Sequence, residues 1–70
     1  MINPVIVGRK IHFISEGGSV APQTRAQAEA FLKDMRARFP KIQKEAAKAT
    51  VAGQIAAYER GIELAKANGL

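Results

Sequence analysis

The chain has 70 residues, with eleven Lys or Arg against six Asp or Glu, one histidine and no cysteine. That suffices for one domain and excludes disulfides, thiolate metal sites, thiol nucleophiles and a histidine pair within one chain. A chain this short buries only about 60% of the surface its unfolded form exposes, so a partner chain is a natural supplement. Its apolar runs are far shorter than the roughly 18 residues of a membrane span, and no signal-peptide pattern opens it. A cytoplasmic protein is therefore the expectation, which the lack of cysteine fits.

The N-terminal third reads as strands. In PVIVGRKIHFI, residues 4–14, two β-rich runs at about 3–7 and 10–15 flank Gly8-Arg9. A two-residue loop with glycine first suits a type II′ hairpin turn, because glycine accepts positive φ. In that register Val7 faces Lys10, Ile6 faces Ile11 and Val5 faces His12. Ile6, Ile11 and Phe13 then share one face, the expected core side, and Val5, Val7, His12 and Ile14 share the other. Glu16-Gly17-Gly18-Ser19 reads as a turn.

A helix over about 24–38 follows. Thr24 and Gln27 have capping-box spacing, so each side chain can satisfy a free backbone N–H at the helix start. Ala28, Phe31, Leu32, Met35 and Phe39 form one apolar stripe. Pro40 ends that helix and is expected to open a second one, over about 40–67, as its first residue. Asn68-Gly69 is the stop signal, and Leu70 is placed to fold back onto the helix end. If unbroken, helix two is about 42 Å long at 1.5 Å per residue. Thr50, Val51 and Gly53 are its weakest helix formers, the place for any bend.

Helix two is apolar on two sides. Ala47, Val51, Ile55, Tyr58, Ile62 and Ala65 make one stripe, and Ile42, Ala46, Ala49, Gly53, Ala56 and Leu64 lie roughly opposite. A helix apolar on two sides needs burial on two sides, and a second copy is the common solution. The expected homodimer interface is Ile42, Ala49, Gly53, Ala56 and Leu64. The competing reading is that alanine tolerates exposure, which leaves a monomer with a wet Ala/Gly side.

Charge is concentrated at the joint between the helices. From Lys33 to Lys48 six basic residues face two acidic ones, so this segment carries +4 of the net +5. Arg36 and Arg38 suit the C-terminal end of helix one, whose dipole favours cations. Lys41 and Lys44, placed in the first turns of helix two, oppose its dipole. Arg36, Arg38, Lys41, Lys44 and Lys48 are therefore the candidate partner-binding residues, for an acidic protein surface or for nucleic acid. The competing reading is a solvated charge run.

KEAAKATVAGQIAAYERG, residues 44–61, faintly resembles a helix-turn-helix, but Val51 stands where the turn glycine would be and Gly53 comes two residues late. Strand, helix, helix with Lys10 and His12 on one strand face resembles a ribbon-helix-helix repressor. Two strands are expected here, however, and the gap from Ser15 to Thr24 is long. Neither family is assigned. No convergent catalytic set stands out: His12 has no evident partner, Ser15, Ser19, Thr24 and Thr50 suit turns, caps or surface, and the acids read as salt-bridge formers.

The expectation is thus an α+β protein: an N-terminal β-hairpin, then a two-helix antiparallel hairpin that dimerises through its long second helix. Functionally it is a small non-catalytic regulator or inhibitor without cofactor, metal or small-molecule substrate. It would bind a protein partner through the basic joint and an exposed edge strand at Asn3–Val7. The alternative is a dimeric nucleic-acid-binding protein using the same cations on phosphates.

Overall fold

The computed structural model describes residues 2–70. It is α+β. Strands β1 (Asn3–Val7), β2 (Lys10–Ser15) and β3 (Gly18–Ser19) precede helix α1 (Arg25–Arg38), a short 3-10 turn (Phe39–Lys41) and helix α2 (Glu45–Ala67). The sheet is antiparallel in the order β1-β2-β3. Arg36 of α1 pairs with Glu59 of α2, and Lys48 sits over Phe39, so the two helices run antiparallel.

The hairpin has the expected register, with Val7 opposite Lys10, Ile6 opposite Ile11 and Val5 opposite His12. Gly8 supplies the positive φ, 64°, that the turn requires. The faces also sort as the alternation predicts. Ile11 and Phe13 are buried, while Val5, Val7 and Ile14 stay exposed on the outer face.

Residues 16–19 depart from the turn reading. The chain reverses at Glu16-Gly17, and Gly18 and Ser19 then pair with Ser15 and Ile14 as a third strand. Gly18 holds φ 130°, a conformation side chains rarely adopt, and its carbonyl accepts a 3.0 Å hydrogen bond from Ser15 Oγ. Gln23 extends this edge: its N–H and C=O bond both backbone groups of Ile11, at 2.8 and 2.7 Å. Ile11 is thus held on both sides, by β1 and by the linker, and is fully buried. Gly-Ser has little strand preference of its own. The free edge of β2, whose backbone groups need partners, creates the strand.

In α1 the capping box between Thr24 and Gln27 is complete in both directions. Ala28, Leu32 and Met35 are buried, but Phe31, expected in the core, is 52% exposed. At 100° per residue Leu32, Met35 and Phe39 stay within about 40° of Ala28, whereas Phe31 lies about 60° off on one edge of the stripe.

Helix two begins later than Pro40. α1 stops at Arg38, Pro40 sits in the 3-10 turn, and Ile42 and Lys44 are extended, each with φ −77° and ψ 126°. An antiparallel return requires the chain to reverse, and a helix entered directly at Pro40 would carry it onward. α2 therefore has 23 residues, about 35 Å at 1.5 Å per residue. It passes unbroken through Thr50–Gly53, where Thr50 Oγ1 donates to the Ala46 carbonyl at 3.1 Å.

The C-terminus closes as its residues suggest. Gly69 takes φ 73°, its N–H reaches the Lys66 carbonyl, and the Leu70 N–H reaches Ala65. This is a Schellman arrangement, and Leu70 packs against the core. That core joins Ile11 and Phe13 of the sheet, Ala28 and Leu32 of α1, and Ile62 and Ala65 of α2. Ile55 and Tyr58 border it, so the inward face of α2 runs along the first apolar stripe, although Ala47 at its start is exposed.

Candidate protein-binding surface

The five basic residues come from three stretches, Arg36 and Arg38 from the end of α1, Lys41 and Lys44 from the joint and Lys48 from the first turns of α2, and their environments differ. Arg36 Nη2 donates to Glu59 Oε2 across the helix pair, and Arg38 pairs with Asp34 at 3.0 Å. Lys48 is half-buried, with Nζ 5.5 Å from the centre of the Phe39 ring, a cation–π distance. Lys41 and Lys44 are exposed, and among the described residues neither has an ion-pair partner. Two of the five candidate cations are thus tied to carboxylates, one leans on an aromatic ring and two are free.

The late start of α2 changes the electrostatic argument for two lysines. Lys41 ends the 3-10 turn and no longer opposes the N-terminal dipole of α2. Lys44 does: it is the N-cap of α2, and its side chain caps nothing. Ser, Thr, Asp or Asn there would satisfy a free N–H and be worth about 0.5–2 kcal/mol. Lys44→Asp is therefore expected to raise the thermal midpoint by several degrees, roughly 4–8 °C for each 1 kcal/mol in a domain this small. An unchanged or lower midpoint in a circular dichroism melt would refute it.

Across α2 from the core, Ala49 and Gly53 are exposed, and a Cβ built on Gly53 meets nothing within 4 Å. Leu64 is 36% exposed, while Ala56 is half-buried. Ile42, half-buried, lies outside the helix in the extended joint. The expected interface residues therefore leave an open strip along α2, with Ile42 set apart at its start. β1 has one strand neighbour, β2, and its Val5 and Val7 are exposed.

A second feature joins three elements. Phe13 and Tyr58 stack with ring centroids 4.2 Å apart and planes 11° from parallel. Phe31 leans on the same tyrosine at 6.2 Å, and Gln23 Nε2 hydrogen-bonds its hydroxyl at 3.1 Å. The three rings come from β2, α1 and α2, and helical spacing within one element could not reveal their meeting. Beside them an open groove of about 500 Å³ runs between residues 17–20 and the two helices, with Val20, Met35 and Arg38 also on its walls. Val20 and Phe31 are more than half exposed there, at 54% and 52%.

His12 is half-buried opposite Val5 on the outer sheet face. Among the described residues no group of three His, Asp or Glu could hold a metal ion, and no helix is long and apolar enough to cross a membrane. No family model, curated protein or solved structure matches the chain.

Proposed function

We propose that this protein is a small non-catalytic regulator or inhibitor that occupies an acidic surface of a protein partner, using the basic joint between its helices. The observation that carries this reading is the pair Lys41 and Lys44: both exposed, both without an ion-pair partner among the described residues, and one at an uncapped helix N-terminus. A cation at the N-cap, where the helix dipole disfavours it, supports a use outside the fold. Protein is favoured over nucleic acid because exposed Phe31 and Val20 line the groove that Arg38 borders, an apolar surface that a phosphate backbone would not use.

Lys41→Glu combined with Lys44→Glu is expected to leave the circular dichroism spectrum unchanged and to abolish capture of the partner from a cell lysate. Capture that survives charge reversal removes the joint from the function. Titration with duplex DNA at low salt is expected to show no binding. Tight binding lost steeply as salt rises would install the nucleic-acid reading instead.

The same proposal places a second copy on the open strip of α2. A Cβ at Gly53 meets nothing within 4 Å, so Gly53→Leu adds bulk on the open side of the helix. Sedimentation at micromolar concentration is expected to show a dimer for the parent chain and a monomer for the variant. A monomeric parent ends the dimer proposal and leaves the joint intact.

A further inference from the structure

We infer that the groove beside the aromatic stack is a docking site for one peptide segment of the partner, carrying a bulky apolar side chain with a carboxylate close to it. The inference rests on the protein-binding reading above and names what the surface would hold. The groove is an open cleft of about 500 Å³, within the roughly 300–1,000 Å³ range of ligand-binding clefts. Its apolar walls come from Phe13, Val20, Phe31, Met35 and Tyr58. Phe13 and Tyr58 are locked face to face, and Tyr58 is further held by Gln23, so the apolar surface is preorganised. Phe31 and Val20 stand more than half exposed on its walls, where solvation alone gives no reason for large apolar groups.

Charge selects the occupant. Arg38 lines the groove and belongs to the segment that carries most of the net positive charge. Its ion pair with Asp34 is exposed on both sides, at 66% and 61%, so it is weak and exchangeable. The pair uses one guanidinium nitrogen, and among the described residues the other donors have no partner, so they can take a second carboxylate in the same plane. A second copy of this chain fits poorly here. A two-fold contact through the groove would bring two Arg38 side chains and two basic joints together.

Panning a phage-displayed library of short random peptides against the intact chain tests this. The enriched peptides are expected to share Trp, Phe, Leu or Met next to Asp or Glu. A synthetic peptide of that sequence should shift the amide resonances of Val20, Phe31, Met35 and Tyr58. Phe31→Glu and Arg38→Glu, both at exposed positions, should each weaken its binding by about tenfold or more. Val20→Glu provides a third variant should either change the fold.

No enrichment over a protein-free control, enrichment without acidic residues, or shifts confined to another face would each overturn the inference. Shifts at the groove that grow with protein concentration alone would assign it to a second copy, and shifts caused by duplex DNA would assign it to nucleic acid. Both outcomes overturn it. Failure here is distinct from failure of the joint. If Lys41→Glu with Lys44→Glu abolishes partner capture while no peptide enters the groove, the groove inference alone falls.

Discussion

Phe13→Ala is expected to cost about 3–5 kcal/mol, the range for deleting a buried aromatic side chain. Phe13 is 4% exposed, stacks on Tyr58 and touches the backbone of α2 at Gly61. Its loss removes one of the main contacts that join sheet to helix. Domains hold about 0.05–0.15 kcal/mol of stability per residue, so a chain this short holds about 3.5–10.5 kcal/mol and the loss takes a large share of it. The variant should melt more than about 12 °C lower, or show no cooperative transition, in a circular dichroism melt. Phe31→Ala is the internal control. That ring is 52% exposed and contributes one tilted aromatic contact, worth about 0.5–1.5 kcal/mol beyond its half-buried area, so its loss should be clearly the smaller. Equal losses from the two phenylalanines would contradict the packing described here.

Gly61→Ala is expected to destabilise although the same change inside most helices stabilises. Replacing a mid-helix glycine by alanine ordinarily gains about 0.5–1 kcal/mol. A Cβ at Gly61 would lie 2.7 Å from Phe13 Cε1 and Cζ and 3.0 Å from Ile11 Cγ2. Neither neighbour retreats easily, because Ile11 is fully buried and the Phe13 ring is clamped against Tyr58. Overpacking of this kind costs about 1–3 kcal/mol, enough to reverse the sign. Urea denaturation should show a net loss. Phe13→Leu in the Gly61→Ala background should recover part of it, because the two changes act on one contact. A Gly61→Ala variant more stable than its parent would refute the close approach.

These predictions bear on function, because the same three elements shape the groove. Phe13 and Tyr58 form part of its wall and also hold the sheet on α2. Changes at either confuse binding with folding, so Val20, Phe31 and Arg38 are the positions at which binding can be tested. The surface ion pairs, Arg36 with Glu59 and Arg38 with Asp34, are half or more exposed. Each contributes at most about 1 kcal/mol, and a partner can rearrange both.

Local patterns were legible from the residues alone. The hairpin register follows from Gly8 and period-two alternation, the start of α1 from Thr24 and Gln27, and the end of α2 from Asn68-Gly69-Leu70. Each depends on groups within one turn of one another, so neighbouring residues suffice to determine it. The concentration of charge between Lys33 and Lys48 was equally plain.

Only the tertiary structure decided which of those charges are free. The partner of Arg36 lies 23 residues away, on a helix whose angular position depends on packing against the sheet. The same holds for β3, created by the open edge of β2, and for Gln23, which reads as linker yet bonds Ile11 and Tyr58. It holds for the start of α2, delayed until the chain had reversed, and for Phe31, left at the edge of its stripe beside Tyr58. In each case the deciding contact joins segments far apart in the chain, and distance along the sequence carries no record of where a folded backbone returns.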